Sequence, residues 1–285
     1  LRRKIDGIDD QIHDLIIART EVVKQVRELK RGQPVKIRPA REARILYRLI
    51  DRHQGPFPKH ELVRIWRELI VATLSFEGPF SVAVHEEEGG CGNGLLARDQ
   101  YGSFTKMTAY RSVRRVIEAV SEQEATVGIL PLPHRDDEDP WWRHLVTENK
   151  NVPKIIARLP FAAPAGAKQA PMEALVICPI EQEPTGRDRS YLAVEASEEI
   201  GLERFANAFS NAGMPALFTT AWRFNQDNDP WLYLAEVDGF ISGGAQQAAR
   251  IFDALGAPVK RVVALGGYAT PLNEKDLAND PEPKL

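Results

Sequence analysis

A single arginine interrupts an apolar stripe in residues 1–31. This segment has a helical pattern in which apolar side chains recur at steps of three and four residues. The slot between Leu15 and Val22 is occupied by Arg19. A stripe of this spacing packs against another helix, where a charge without an anionic partner costs several kcal/mol. Arg19 therefore either pairs with a carboxylate of the neighbouring helix or lines an internal pocket for an anion.

Two further cations join this pattern if two chains pair. Arg2 and Lys30 lie about 42 Å apart along a straight helix, whereas Arg19 and Lys30 lie about 16 Å apart and can converge through their long side chains. One small anion can therefore contact all three only if Arg2 comes from a second chain. An antiparallel partner helix would place it there and would create two symmetry-related pockets. Taken alone, Arg2 and Lys30 are ordinary solvated charges.

Polar residues also lie on the predicted buried faces of the next two helices. Arg41 and Glu42 precede the apolar residues of helix 2 at helical spacing, and Thr73 and Glu77 continue the apolar stripe of helix 3. A single threonine or glutamate at such a position is often structural. Together with the two cations of helix 1, however, they place more polar groups in one bundle interior than a structural role needs. Three cations in that interior suit a small dicarboxylate.

The order of predicted elements gives the fold class α + α/β. The first part contains three helices, near 1–31, 39–53 and 58–77, and no strand. The last part has the order β-α-β-β-α-β, which is typical of a ferredoxin-like sandwich. We expect a three-helix bundle at 1–78, a shortened α/β lobe at 79–180, a ferredoxin-like domain at 181–272 and a tail at 273–285.

Composition and charge exclude several classes of protein. The net charge of −3 divides into +6 for residues 1–78 and −9 for the rest, so an anion is expected to bind the first segment. The cations form no contiguous stripe with aromatic residues, which argues against a nucleic-acid partner. The two cysteines form no metal-type cluster, and we expect no metal and no cofactor. Without a long apolar run or a signal-peptide pattern, a cytoplasmic location and no membrane contact are expected.

Three sequence segments together resemble the all-helical chorismate mutases across residues 1–78. These are LRRKIDGIDDQIHDLIIARTEVVKQVRELK, PVKIRPAREARIL and LVRIWRELIVATLSFE. The resemblance implies an intertwined homodimer that rearranges chorismate to prephenate without a metal or an organic cofactor. It also implies that Arg19 and Arg41 of one chain and Arg2 of its partner hold the two carboxylates of the substrate.

The same resemblance implies the remaining roles. Lys30 and Glu77 would flank the ether oxygen of chorismate, Glu42 would contact the ring hydroxyl, and Thr73 would meet a carboxylate. Glu77 can help only when protonated, because a carboxylate would repel the negative charge that develops on the ether oxygen. Arg38 stands where the family usually has Asp, three residues before the Arg-Glu pair. We count it among the substrate-binding residues and expect an altered substrate affinity.

Residues 80–268 resemble, less closely, the prephenate dehydratase and ACT regions of bifunctional mutase–dehydratase proteins. The stretch SVRRVIEAVSEQEATVGILPLP looks like the one before the dehydratase Pro-Ile-Glu-Asn-Ser motif, but Pro133 and His134 stand at its Glu and Asn. Met172 stands where the catalytic Thr of the dehydratases would lie. The ACT effector motif Glu-Ser-Arg-Pro is Ala-Trp-Arg-Phe here, at 221–224. We therefore expect an inactive dehydratase-like lobe and an ACT-type domain that is structural, partner-binding or regulatory.

The leading interpretation is a chorismate mutase of phenylalanine and tyrosine biosynthesis. One alternative is a non-catalytic regulatory or interaction protein built on the same dimeric bundle, which Arg38 favours mildly. Another is a working bifunctional mutase and dehydratase, which Met172 and Pro133 oppose. Retention of the family's charged residues in the bundle favours catalysis.

Overall fold

The computed structural model describes residues 1–29, 37–74, 78–87, 89–90, 92–147, 149, 151–162, 172–224, 229–241 and 245–278. Two predicted site residues, Lys30 and Glu77, lie outside these ranges. Within them, no helix is both long enough and apolar enough to cross a membrane.

Three helices open the chain, as the sequence predicts. They are α1 (Arg2–Leu29), α2 (Pro39–Arg52) and α3 (Lys59–Leu74). Pro39 begins α2, where its missing N–H breaks no intrahelical bond. After α2 the chain turns at Gly55, whose φ of 133° is readily adopted only by glycine.

Strands and shorter helices alternate after α3. They are β1 (Ser81–His85), α4 (Gly92–Tyr101), β2 (Lys106–Tyr110), α5 (Val113–Ser121), β3 (Val127–Pro131), a 3-10 helix (Trp141–Leu145), β4 (Lys154–Leu159), β5 (Ala174–Cys178), β6 (Asp188–Ala196), α6 (Leu202–Asn211), β7 (Ala216–Arg223), β8 (Trp231–Asp238), α7 (Ala245–Leu255), β9 (Val259–Ala269) and α8 (Glu274–Leu277).

The strands form one large mixed sheet. Its spatial order is β2-β1-β3-β5-β4-β9-β6-β8-β7. In the first half β1 pairs in parallel with β2 and β3, and β5 is antiparallel to β3 and β4. In the second half β6 is antiparallel to both β9 and β8, and β7 is antiparallel to β8. The predicted order β-α-β-β-α-β is confirmed for β6 to β9.

The two halves of the sheet meet at a narrow seam. Within the described strands, β4 and β9 are paired at Ile155 and Gly266. Gly266 has a φ of 105°, and a Cβ there would lie 2.2 Å from the carbonyl oxygen of Ile155. Beside the seam, Arg158 donates to the hydroxyl of Tyr268 at 2.9 Å, and that hydroxyl donates to the buried carboxylate of Glu236. Polar side chains therefore join the two halves where the backbone ladder is short.

Both faces of the second half are covered. On one face α6 and α7 bury Phe205, Phe209, Ile251 and Leu255 against the strands. On the other face the strands share a buried cluster with α5 and with Trp142 of the 3-10 helix. The sheet therefore lies between two apolar layers, as a ferredoxin-like arrangement with a further lobe requires.

Helices α2 and α3 pack on the sheet-bearing part of the chain. Ala43 and Leu46 of α2 share a buried cluster with Phe161, which follows β4, and with Leu272, which lies beyond β9. The hydroxyl of Tyr47 donates to a backbone carbonyl just after β9. One side of α2 is therefore fixed against the C-terminal part of the molecule.

Four elements differ from the sequence prediction. The sequence predicts no element at the positions of helix α4, strand β2 or the 3-10 helix, and it assigns the residues of α8 to the tail. Helix α4 begins with Gly92-Asn93-Gly94, which are poor helix formers, and β2 lacks the alternation of buried and exposed residues that marks a strand. Helix α8 lies in the predicted tail, is capped by Asn273 and buries Leu277. Tertiary packing stabilises these elements more than their local sequence does.

Truncation of Leu46 tests the packing of α2 on the sheet-bearing part. Leu46 is fully buried, so Leu46→Ala is expected to lower the free energy of unfolding by about 2–5 kcal/mol through lost contacts and a cavity. The measurement is urea unfolding followed by tryptophan fluorescence. Leu95→Ala on α4, where the side chain is 62% exposed, is the control and should change stability by less than about 0.5 kcal/mol. Equal effects of the two changes would contradict this packing.

Candidate functional site

Arg19 lies half-buried between α1 and α3. Its Nη1 donates to the backbone carbonyl of Leu69 on α3 at 3.1 Å. Burial lowers the pKa of Arg19 below its ordinary value, and the positive charge of Arg41 lowers it further. The guanidinium remains charged at neutral pH because an arginine side chain does not lose its proton in proteins. Two arginines from α1 and α2 therefore repel each other at this place, and an anion between them would relieve that repulsion.

Thr73 of α3 lies next to this pair of arginines. Its hydroxyl donates to the carbonyl of Ile70 at 2.7 Å and lies 3.4 Å from the carbonyl of Leu69, the oxygen that Arg19 also contacts. The structure thus brings together Arg19, Arg41 and Thr73, three of the predicted site residues, from three different helices. The arrangement offers two cations to one small anionic ligand, while the hydroxyl proton of Thr73 is donated to a backbone carbonyl.

Glu42 faces α3 rather than Arg19. Its Oε2 lies 3.6 Å from Nη1 of Arg67, and both side chains are largely buried. The sequence analysis did not single out Arg67. The signal was present, because Arg67 occupies a slot in the buried stripe of Val63, Ile70 and Leu74 just as Arg19 does in the stripe of α1.

Arg38 points toward the sheet-bearing part of the chain. Its Nη2 lies 2.7 Å from Glu183, which follows β5, and Arg44 contacts the same carboxylate at 3.2 Å. Arg38 and Arg44 thus tie the start of α2 to the loop after β5, and the predicted substrate contact of Arg38 stays a prediction.

Arg2 is exposed at the start of α1, about 26 Å along the helix from Arg19. Its side chain cannot reach Arg19 of its own chain. The apolar stripe of α1 is also exposed, with Leu15 at 69% and Val22 at 58%. A long helix with an uncovered apolar face is typical of an interaction surface.

The described residues hold no cluster of histidine, cysteine, aspartate or glutamate that could ligate a metal ion. Arg19 and Arg41 are groups that can bind and orient an anion by charge-assisted hydrogen bonds.

The family model for chorismate mutase type II matches residues 1–78. The matched segment, called here the mutase-family segment, comprises α1, α2 and α3, and it contains Arg19, Arg41 and Thr73.

Relatives of the chain carry a mutase and a second activity. The bifunctional chorismate mutase/prephenate dehydratase of Pseudomonas aeruginosa is 28% identical over 138 residues, a match that covers 46% of this chain and 38% of that protein. The bifunctional chorismate mutase/prephenate dehydratase of Aquifex aeolicus is 30% identical over 145 residues. This match also covers 46% of this chain and 38% of that protein. Both matches are longer than the mutase-family segment. The chain nevertheless spans well under half the length of these relatives.

A solved structure is similar to a larger part of the chain. The prephenate dehydratase from Streptococcus mutans matches at 12% identity with a TM-score of 0.46, covering 67% of this chain and 98% of that one. At this identity and TM-score the likeness extends to no statement about activity.

The ion pair of Glu183 makes a prediction about pH. Hydrogen bonding from Arg38 holds the pKa of Glu183 below its ordinary value of 4.5, an effect that burial opposes and Arg44 supports. Because the pKa of Glu183 is lower in the folded than in the unfolded chain, the ion pair stabilises the fold above about pH 4.5. This contribution is lost as the pH falls through the pKa of Glu183 in the folded chain. Because the pair is exposed, Glu183→Gln should lower the free energy of unfolding by less than about 1 kcal/mol at neutral pH.

The measurement is the free energy of unfolding of both proteins between neutral and acidic pH. The difference between them should vanish once the carboxylate is protonated. Glu181→Gln, two residues away and exposed, is the control and should leave the curve unchanged. A difference between wild type and Glu183→Gln that persists in acid would contradict the ion pair.

Proposed function

We propose that this protein is a chorismate mutase that rearranges chorismate to prephenate. The observation that supports it most directly is the pair of neighbouring arginines, Arg19 and Arg41, inside a segment that matches the type II mutase family. Chorismate carries two carboxylates, and a half-buried Arg19 beside the exposed Arg41 would gain charge-assisted hydrogen bonds from a ligand of that charge. The bifunctional relatives are consistent with the same substrate.

The mechanism we propose needs no covalent intermediate. Arg19 and Arg41 would hold the flexible enolpyruvyl ether in the compact conformer from which the bonds rearrange, which lowers the entropic part of the barrier. The resemblance to the family places Lys30 and Glu77 at the ether oxygen, where negative charge develops as the bond breaks. Thr73 would add a hydroxyl near a carboxylate.

We propose that the active form is a homodimer in which each pocket uses Arg2 of the partner chain. Arg2 is too far from Arg19 in its own chain, and the exposed stripe of α1 offers the surface on which a second α1 would pack. An antiparallel arrangement would place two equivalent pockets between the chains. It would also bury the apolar side chains that a single chain leaves in water.

The C-terminal region is proposed to be a dehydratase-like lobe without activity, followed by an ACT-type domain. Met172 and Pro133 replace groups that the dehydratases use, which argues against a bifunctional enzyme. The bifunctional alternative remains open to test, because the relatives carry both activities in their names. A non-catalytic protein is the second alternative.

Incubation of the purified protein with chorismate and, separately, with prephenate tests the three alternatives. We expect chorismate to disappear with formation of prephenate, and added prephenate to persist. Arg19→Met should lower kcat/KM by about tenfold to a hundredfold, because a charge-assisted hydrogen bond to a carboxylate is lost. Arg64→Met, an exposed arginine on α3, is the matched control and should leave kcat/KM unchanged. If chorismate is not turned over, the mutase proposal is wrong. If prephenate is consumed, the bifunctional enzyme is favoured.

Mixed dimers test whether the pocket is shared between chains. Arg2→Ala and Arg19→Ala subunits should each be nearly inactive, yet a heterodimer of the two contains one pocket with both arginines and should recover about half of the wild-type activity. The control is a mixture of Arg19→Ala with Arg41→Ala, two residues of the same chain in each pocket, which should recover nothing. Recovery in the control, or none in the first mixture, would contradict the shared pocket.

A further inference from the structure

The first half of the sheet contains a crevice between β1 and β3, which are parallel neighbours. After β1 the chain continues into α4, whose Ala97 shares a buried cluster with Val84. After β3 it continues into the 3-10 helix, whose Trp142 shares a buried cluster with Ala83. Because Ala83 and Val84 are consecutive on β1 and face opposite sides of the sheet, the two connections lie on opposite faces. Open α/β sheets bind ligands in such crevices, at the carboxyl ends of the strands.

A cavity of about 380 Å³ lies at this edge of the sheet. Its wall combines the residues at the ends of β1 and β3 with the start of α4. Two glycines shape that wall. A Cβ at Gly92 would lie 1.9 Å from the sulfur of Met172, and a Cβ at Gly94 would lie 2.2 Å from Oε1 of Glu86. The glycines that weaken the start of α4 therefore allow Met172 and Glu86 to lie against its first turn.

Two glutamates after β1 line the cavity without a cationic partner in the described part of the chain. Oε1 of Glu86 accepts a hydrogen bond from the N–H of Gly94 at 3.1 Å, which fixes the carboxylate and leaves Oε2 to other donors. Glu87 is exposed and forms no ion pair with the described residues. A third glutamate of the wall, Glu173, is held by Arg158 through two hydrogen bonds of 3.0 and 2.8 Å. Among the described residues the wall contains no lysine or arginine, so it favours a positive charge.

A buried imidazole adds a directional group to this wall. His85 ends β1, lines the cavity and is only 8% exposed. Its backbone carbonyl accepts a hydrogen bond from Asn93 at 2.8 Å, but its ring has no hydrogen-bond partner among the described residues. A buried polar group without a partner is unfavourable, and a ligand that supplies the partner removes that penalty. In its neutral form the ring offers one accepting nitrogen.

Apolar groups complete the wall. Pro131 and Leu132 at the end of β3 are half-buried, and Met172 is 57% exposed. A ligand that covers these side chains removes apolar surface from water, which favours binding. The cavity therefore combines an acidic side, a buried imidazole and an apolar side.

We propose that this cavity binds a small primary amine with an apolar body. An ammonium group has three N–H donors, and the wall offers acceptors on Glu86, on Glu87 and on the neutral ring of His85. Hydrogen bonds between an ammonium group and a carboxylate are charge-assisted and are stronger than those between neutral groups. The apolar body of the ligand lies against Pro131 and Leu132.

This inference goes beyond the proposed mutase function and does not depend on it. Met172 and His134, two positions at which the chain departs from the dehydratase resemblance, both line the cavity. Prephenate carries two carboxylates, and the glutamates of the wall repel them. An amine site therefore agrees with the proposed lack of dehydratase activity, and it gives this lobe a ligand of its own.

Isothermal titration calorimetry of the full-length protein tests the preference for positive charge. The probes are phenethylamine, phenethyl alcohol and hydrocinnamate, which share an apolar body and differ in charge, at about pH 8, where free imidazole is neutral. We expect Kd to be about tenfold lower for the amine than for the alcohol, because a charge-assisted hydrogen bond is lost, and the anion to bind most weakly. Equal binding of amine and alcohol, tighter binding of the anion, or no binding of the amine would overturn the proposal.

Substitutions that preserve shape separate a built site from general attraction by an acidic protein. Glu86→Gln retains an oxygen that can accept from Gly94, and it should raise Kd for phenethylamine about tenfold. Glu198→Gln, on the exposed loop after β6, removes the same charge elsewhere and is the matched control, which should leave Kd unchanged. His85→Phe removes the ring nitrogens without changing the charge of the carboxylates, and it should raise Kd about fivefold. Equal effects of Glu86→Gln and Glu198→Gln would overturn the assignment of the site.

Met172→Lys provides a test that does not depend on a buried position. Its side chain is 57% exposed, so the lysine should be tolerated by the fold, which thermal unfolding of each variant checks. A lysine in the wall should abolish binding of phenethylamine and make hydrocinnamate the tighter ligand, because the sign of the local charge is reversed. An unchanged preference for the amine would overturn the proposal. These measurements involve no turnover of chorismate, so the amine site and the mutase function can each fail without the other.

Discussion

The constraint on which the rest of this structure depends is the cost of holding positive charge away from water. Two arginines in the helical segment occupy positions that the apolar periodicity reserves for aliphatic side chains. Arg19 meets a carbonyl oxygen and the charge of Arg41, whereas Arg67 meets the carboxylate of Glu42. The first environment leaves a net positive charge and the second neutralises it. The same residue type therefore leaves positive charge uncompensated in one place and forms an internal ion pair in the other.

Helix α2 connects these two environments. Its polar side carries Arg41 and Glu42 toward α1 and α3, and its apolar side carries Leu46 into a cluster with Phe161. A charged site on a short helix would be mobile if that helix were held only by its neighbours in a three-helix bundle. Contact with the sheet-bearing part fixes the helix on its other side, which pre-organises the charges without placing further groups in the site.

The helical segment could be predicted in detail because its patterns are local. The period of Ile5, Ile8 and Ile12 predicts α1, and Arg19 interrupts that period at a position where the structure has a half-buried guanidinium beside α3. The βαββαβ order of the last part follows equally from alternating strand and helix signals. In contrast, α4 was not predicted because it begins with Gly92 and Gly94, which are poor helix formers, and the helix depends on packing. The ion pair of Arg38 with Glu183 was missed because it joins residues far apart in sequence, which no periodicity reports.

The short pairing between β4 and β9 has a consequence for how the two halves of the sheet respond to force. Strands that share a long ladder shift only by breaking many backbone bonds together, whereas β4 and β9 share the single pair at Ile155 and Gly266 within the described strands. Sliding at this joint is opposed mainly by side chains such as Arg158, which can exchange partners as they move. The hydroxyl of Tyr47 on α2 donates to a backbone carbonyl just after β9, so any such sliding would displace a hydrogen-bond partner of α2. The joint between the two halves of the sheet, with its short described ladder, thus lies one contact away from the helix that carries Arg41 and Glu42.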